Sequence, residues 1–168
     1  MARLGHNHVV SSGNVSGVLY LHDDISRSRV ELALPVKTLV VDDPKDRASE
    51  GEGFAAEVPI DAREGTRRNL LRPEVLDGER YPTITLHSTA IAGTRAQPQL
   101  TMRITIKGNS RDVTILPKVQ RNGSQLTASG EFTIKQTAFG IAPFSVALGA
   151  LRVQDQLRIK FSIVCLKQ

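Results

Sequence analysis

Histidines are the side chains of this sequence whose spacing comes nearest to that of a metal site. His6 and His8 are two residues apart, so on a β-strand both imidazoles would lie on one face, and His22 or His87 could complete a site. His6 and His8 have no acidic residues beside them in the sequence, which favours a polar turn next to the first strand over a zinc or nickel centre. We therefore expect no bound metal, with His6 and His8 as the weak candidates.

Nucleophilic catalysis finds little support in the residue order. Ser88 and Ser145 are not placed in a Gly-x-Ser-x-Gly turn, and no His and Asp follow them in an order typical of a triad. The chain also has neither a phosphate-binding glycine loop nor a pair of cysteines. The sequence predicts a protein that is not an enzyme and that needs no cofactor.

A cluster of charges occupies residues 61–79. Among its charged residues are Asp61, Glu64, Asp77 and Glu79, together with the arginines Arg63, Arg67, Arg68 and Arg72. Such a mixture is typical of a solvated flap whose charges pair with one another. A second interpretation places Arg67 and Arg68 over the opening of a binding cavity, where they would neutralise a phosphate or carboxylate headgroup.

The overall charge is distributed unevenly. Residues 1–84 hold 11 Lys/Arg and 14 Asp/Glu, whereas residues 85–168 hold 11 and 3, which gives net charges of −3 and +8. Basic residues of the second half stand between apolar positions, so they should point outward: Arg103, Lys107, Lys118, Lys135, Arg158 and Lys160. A solvated strand face explains them better than attraction to anionic lipid, and the few aromatic residues argue against nucleic acid as a partner.

The elements that must position these residues are mostly strands. Over residues 98–165 apolar side chains occupy every second position, as in Leu100, Met102, Ile104 and Ile106. This period of two is typical of strands with one solvent-exposed face. The pair Leu116–Arg121 and Gln125–Glu131, joined through Asn122-Gly123-Ser124, predicts a hairpin. Cys165 falls on the inward face of the last strand and is expected to be a core residue without a disulfide.

Upstream segments complete the predicted elements. Strands are expected at Val15–Leu21, Ser28–Val36, Phe54–Ile60 and Thr83–Thr89, and a helical turn is expected within Asp42–Gly53. Helical spacing over Glu64–Leu76 predicts two short helices, the second opened by Pro73. Seven or eight antiparallel strands with one helical insertion fit either a closed up-and-down barrel or a two-sheet sandwich.

Four sequence motifs, in the same order, resemble those of the YceI family along nearly the whole chain. They are Thr66-Arg-Arg-Asn-Leu-Leu-Arg-Pro-Glu-Val-Leu-Asp77, Tyr81-Pro-Thr-Ile-Thr-Leu-His-Ser88, Ile104-Thr-Ile-Lys-Gly108 with Asp112-Val-Thr-Ile115, and Phe139-Gly-Ile141 with Val153-Gln-Asp155. The resemblance implies an all-β fold: an eight-stranded antiparallel, lipocalin-like barrel with a short helical insertion. It further implies an apolar lumen that holds a polyisoprenoid or another long-chain lipid.

With that resemblance, the predicted function is non-catalytic binding or carriage of a long apolar ligand. The expected lumen residues are Phe54, Val58, Ile84, Leu86, Met102, Ile104, Phe132, Ile134, Phe139, Phe144 and Phe161. The alternation alone fits equally well with side chains that fill a solid core. The alternative function is therefore a solid-barrel interaction module, or a metal-binding protein that uses the His-containing N-terminus.

The N-terminus departs from the family pattern. Gly5-His-Asn-His8 resembles a segment that follows an opening β-strand in one branch of the family, yet only four residues precede it here. We expect a single domain over residues 1–168 that lacks this strand. Either the true start lies upstream of Met1, which we favour, or the barrel forms with seven strands and leaves an exposed edge that a second copy could cover as a homodimer. No apolar stretch is long enough to span a membrane and no signal peptide is recognised, so the chain is expected to be soluble and its localisation stays undetermined.

Overall fold

The computed structural model describes residues 7–146 and 151–166, and most of them lie in β-strands. The strands are β1 (Val10–Ser11), β2 (Ser16–Tyr20), β3 (Arg29–Pro35), β4 (Val40–Val41), β5 (Thr83–Gly93), β6 (Pro98–Ile106), β7 (Asn109–Ile115), β8 (Lys118–Asn122), β9 (Gln125–Lys135), β10 (Ser145–Val146), β11 (Leu151–Arg152) and β12 (Gln156–Leu166). Two α-helices, α1 (Pro44–Ala48) and α2 (Ile60–Leu70), interrupt them. Short 3₁₀ helices occur at Ile25–Arg27, Val36–Thr38, Glu52–Phe54 and Gln136–Phe139.

All strand pairs are antiparallel and they form two principal sheets. The five-stranded sheet has the order β2-β3-β5-β6-β7, and the three-stranded sheet has the order β12-β9-β8. Leu116 and Pro117 connect β7 to β8, so consecutive strands pass from one sheet to the other. The predicted antiparallel all-β class is confirmed. Among the described residues, however, the strand pairing does not close into one continuous barrel.

Turn chemistry matches the positions where the chain reverses. Lys107 and Gly108 join β6 to β7 with φ angles of 51° and 74°, the left-handed conformation that a two-residue hairpin turn requires. The predicted hairpin at Asn122-Gly123 is confirmed, because β8 pairs with β9 up to Asn122↔Gln125. In β5 the register shifts between Ser88 and Ala90, and this bulge brings Ile91 opposite Leu100 on the buried face.

The helical insertion differs in detail from the expectation. One helix, α2, runs from Ile60 to Leu70, and the residues that follow it form turns, so the second helix predicted at Pro73 is absent. The strand predicted at Phe54–Ile60 is wrong, since Glu52–Phe54 is a 3₁₀ helix and α2 begins at Ile60. Pro59 cannot donate to a strand ladder and Asp61 stabilises a helix start, which together outweigh four residues of alternation. The helical turn expected within Asp42–Gly53 is confirmed as α1.

The core lies at the end of the sheets covered by α2. Its buried members are Val36, Leu39, Leu76, Ile104, Ile106, Ile134, Phe139 and Ile141. Gly140 has a φ of 71° and ends the 3₁₀ helix, which lets Phe139 turn inward until it is almost fully buried. No helix in the described part of the chain is both long and apolar enough to cross a membrane.

Candidate functional site

The five-stranded sheet presents a continuous apolar inner face. Strand register aligns Gly17 with Leu32, Leu32 with Leu86, and Leu86 with Ile104. Because side chains alternate along each strand, this row lies on the side of the sheet that faces the core. Leu86 and Ile104 both join the core, whereas Leu32 is only half-buried. The inner face therefore continues beyond the packed core.

The three-stranded sheet supplies a second apolar face. Ile159 pairs with Phe132, and Phe161 pairs with Gly130. The Phe132 and Phe161 rings pack at a centroid distance of 6.2 Å with a tilt of 55°. A Cβ at Gly130 would lie 3.1 Å from the Phe161 ring, so the glycine makes room for that ring. Phe161 is half-buried, and Ile163 and Cys165 follow it on the same face.

The predicted lumen residues separate into three groups. Six belong to the core or pack against it, together with the helical insertion: Ile84, Leu86, Ile104, Phe132, Ile134 and Phe139. Met102 and Val58 are also buried, and Phe161 is half-buried. Phe54 lies away from this group beneath Arg47, whose guanidinium is 5.7 Å from its ring centroid, and Phe144 is 61% exposed. The structure thus brings six of the predicted residues together around the core, whereas Val58 and Met102 are buried outside that cluster and Phe54 and Phe144 lie apart from it.

A groove of about 510 Å³ runs along β2, β3 and β5. Its apolar lining includes Val30, Leu32 and Leu86, and its polar lining includes Arg29 and His87. Because alternate residues of a strand face opposite sides, an apolar chain in this groove would lie against the first group, whereas Arg29 and His87 belong to the outer side of the sheet. Sequence reasoning omitted Val30 and Leu32, although the alternation predicted within Ser28–Val36 already placed them on one face.

The arginines of the flap have different roles. Arg67 is half-buried, and it donates from Nε to the Leu39 carbonyl at 2.9 Å and from a terminal nitrogen to the Lys37 carbonyl. Arg68 is exposed. The predicted salt bridges between the flap arginines and acids do not form among the described residues. Arg67 instead holds α2 to the chain that precedes β4, where a smaller groove of about 180 Å³ lies beside Arg63.

A buried polar cluster at the N-terminal segment was not anticipated. Asp42 is almost fully buried and accepts hydrogen bonds from Arg47 at 2.7 Å and from the Val9 amide at 2.9 Å. His8 Nδ1 lies 2.6 Å from the same carboxylate. Burial alone would raise the pKa of Asp42, but the hydrogen bonds from His8, Val9 and Arg47 outweigh it and hold this pKa below its ordinary value. The cluster anchors residues 7–9 to α1.

The buried polar cluster around Asp42 does not support the hypothesis of a metal site. Within residues 7–146 and 151–166, no group of three or more His, Cys, Asp or Glu side chains is arranged to hold a metal ion. His8 is engaged with Asp42, whereas His6 lies outside the described residues. The sequence carried one usable signal for the cluster, an Asp-Asp-Pro sequence directly after an apolar strand, in which Asp43 caps α1.

Fold and site together define a class: an antiparallel β-protein with an apolar interior between two sheets and a helical segment over one end. Residues 3–165 match the YceI-like domain, so the chain belongs to the YceI family. The resemblance to this family that the four sequence motifs indicated is therefore confirmed.

Solved structures support the same fold. The Campylobacter jejuni YceI protein superposes with a TM-score of 0.71 at 12% identity, covering 100% of this chain and 90% of that chain. A variant of that protein with a monobromobimane guest gives 0.72 at 11% identity with the same coverage. Burkholderia cenocepacia BcnA gives 0.67 at 20% identity, covering 94% of this chain and 93% of that chain. A comparison with curated protein sequences finds no match.

Proposed function

We propose that this protein binds a long apolar lipid, of the polyisoprenoid class, between the inner faces of its two sheets and performs no catalysis on it. Membership of the YceI family supports lipid binding at the level of the family. In this proposal the curved sheets act as a barrel-like enclosure, and the side chains packed around Phe139 close one end of it.

The observation that supports the proposal is that apolar side chains on the inner faces of both sheets are only partly buried. Val30, Leu32 and Leu100 on one sheet and Phe161 and Ile163 on the other are apolar and inward-facing, yet only half-buried. Covering such surface stabilises a complex by about 25 cal/mol per Å² of apolar area. A flexible hydrocarbon chain is the kind of ligand that gains most from a groove of this composition, and it needs no strong polar anchor.

The first test is native mass spectrometry of the purified protein, repeated under denaturing conditions to identify what is released. We expect an added mass on the folded protein and a long-chain lipid in the denatured sample, and the folded mass also reports whether a homodimer forms. A bare protein mass after expression in several hosts would contradict the proposal.

Filling the groove gives a second test. Leu86→Trp adds volume to the groove floor and should lower the bound-lipid stoichiometry at least severalfold. Thr114→Trp is the matched control, since Thr114 is exposed on the opposite face of the same sheet. Equal lipid content in both variants would count against ligand binding in this groove.

A further inference from the structure

One end of the molecule exposes apolar side chains outside the groove. Phe144 and Val153 face each other across a hairpin, in which the Val153 amide donates to the Phe144 carbonyl at 2.9 Å. Their exposed fractions are 61% and 42%. Exposed apolar side chains that lie together and are surrounded by polar residues often mark an interaction site.

The base of this hairpin is fixed by polar contacts. Asp155 accepts from the Thr137 amide at 2.9 Å and from the Thr137 hydroxyl at 2.8 Å. Gln136 donates from its side chain to the Gln154 carbonyl at 2.8 Å and from its amide to the Asp155 carbonyl at 2.9 Å. The strands that enter and leave the hairpin are therefore held against the 3₁₀ helix, which presents Phe144 and Val153 from a rigid base.

Cations lie at the same end. The side-chain nitrogen of Asn109 donates to the Phe139 carbonyl at 3.0 Å, which places the Lys107-Gly108 turn beside the hairpin base. Lys135 directly precedes the 3₁₀ helix, and Arg111 follows Asn109 on β7. Within the described part of the chain, no ion pair includes Lys107, Arg111 or Lys135.

The C-terminal part of the sequence contains few acidic residues. Residues 132–168 hold five basic residues, of which Arg158 and Lys160 pair with Glu50, and a single acidic one, Asp155, which is engaged with Thr137. The end is thus amphipathic, with an apolar hairpin and a rim of unpaired positive charge. We name Phe144, Val153, Lys107, Arg111 and Lys135 the docking end.

We propose that the docking end binds the surface of an anionic lipid bilayer. Phe144 and Val153 enter the boundary between headgroups and acyl chains, while the three cations contact anionic headgroups. Charge complementarity selects a bilayer over an acidic protein as the partner, because the apolar hairpin needs a partner that is apolar directly beneath its charged surface. The inference adds a membrane contact to the proposed carriage of lipid, and its test does not require the carried lipid to be identified.

Vesicle co-sedimentation tests this assignment with vesicles of phosphatidylcholine alone and of phosphatidylcholine with about 30% phosphatidylglycerol. The protein should sediment only with the anionic vesicles. Phe144→Asp should weaken binding about tenfold or more, because an apolar side chain that enters the bilayer is replaced by a charged one. Lys135→Gln should weaken it about fivefold, the effect of one cation at such a surface, and added salt should reduce binding further.

Matched controls distinguish binding through the docking end from non-specific binding to vesicles. Leu116→Asp alters a side chain with a similar exposure of 69%, but at the other end of β7. Arg121→Gln removes one positive charge near the turn between β8 and β9. Both should bind anionic vesicles like the parent protein. If either control weakens binding as much as its counterpart, or if the parent protein ignores anionic vesicles, the assignment is overturned.

A fluorescent reporter keeps the test independent of variants that fold poorly. The chain contains no tryptophan, so Phe144→Trp provides a single probe. Its emission should shift to shorter wavelength on addition of anionic vesicles, whereas that of Leu116→Trp should not. An unchanged Phe144→Trp spectrum would overturn the assignment, and so would loss of a dimer without loss of vesicle binding in Phe144→Asp. A protein that docks but carries no lipid would refute only the proposed function.

Discussion

Asp42 shows how one buried carboxylate can organise a terminal segment. It has a positive φ of 53°, and it accepts hydrogen bonds from Arg47 and from the Val9 amide. Arg47 in turn donates to the Asn7 carbonyl at 2.6 Å and to the Ala56 carbonyl at 3.0 Å. Residues 7–9 and the segment after α1 are therefore held by one ion pair.

Removing this carboxylate should be costly. Asp42→Asn leaves the Arg47 guanidinium buried without its anionic partner, and we expect a loss of about 3–5 kcal/mol in the free energy of unfolding. Urea denaturation measures this loss. Asp23→Asn is the control, since the Asp23 side chain is fully exposed and its ion pair with Arg95 should contribute little. Equal losses in the two variants would contradict the assignment.

The pH dependence follows from the direction of the Asp42 shift. The folded protein holds the pKa of Asp42 below the ordinary carboxyl value of about 3.9, so the ionised group stabilises the fold above that pH. The stability difference between the parent protein and Asp42→Asn should shrink as the pH falls from about 5 through the folded pKa of Asp42. Thermal melting across this range measures it, and a difference that grows on acidification would contradict the prediction.

Alanine substitutions of Arg67 and Arg68 should have different effects on the stability of the protein. Arg67→Ala removes two hydrogen bonds to backbone carbonyls and should destabilise the protein by about 1–3 kcal/mol. Arg68→Ala should change stability by less than about 0.5 kcal/mol, because its side chain is exposed. If the flap contacts a ligand headgroup, as the sequence suggests, Arg68→Ala should weaken affinity for an anionic lipid without changing the melting temperature.

Among the elements, β2 depends on a close approach of two backbones. A Cβ at position 17 would lie 2.0 Å from the Glu31 carbonyl oxygen, and no side-chain rotation can relieve that contact. Gly17 thus lets β2 pair tightly with β3 and keeps the groove open beside Leu32.

A single methyl group at this position should loosen the strand. Gly17→Ala should destabilise the protein by about 1–3 kcal/mol and raise hydrogen exchange at the Val18 and Leu19 amides. Gly13→Ala is the matched control, since a Cβ at Gly13 has nothing within 4 Å. Unchanged exchange in Gly17→Ala would show that the two strands can separate without cost.

For the whole molecule, Cys165 offers a reporter of a ligand bound between the two sheets. It is the only cysteine of the chain, it lies on the inner face of β12, and burial raises the pKa of its thiol. A raised pKa lowers the thiolate fraction at neutral pH, so alkylation should be slow and should accelerate as the pH rises.

Bound lipid should slow the reaction further. We expect Cys165 to be alkylated several times faster in delipidated protein than in loaded protein, followed by mass spectrometry of the labelled chain. The control places Ser162→Cys in a Cys165→Ser background, because position 162 is exposed on the outer face. Equal rates for Cys165 in both states would argue that the ligand, if any, lies elsewhere.

The sequence by itself determined the antiparallel all-β class, the hairpin at Asn122-Gly123, the inward placement of Phe139 and the family. These are local or periodic properties: alternation assigns each side chain to a face, Asn and Gly allow the positive φ angles of tight turns, and Pro fixes its own φ angle. The same alternation identified most of the inner face, including Ile84, Leu86, Ile104 and Phe132.

Only the tertiary structure decided which inward residues are packed and which remain half-open, because burial depends on strands far apart in sequence. It placed Phe54 under Arg47 and left Phe144 exposed, although both were expected to line the lumen. It also assigned Arg67 to backbone carbonyls and brought His8, Asp42 and Arg47 together across 39 residues of chain. Such contacts depend on how distant segments meet, and local periodicity does not carry that information.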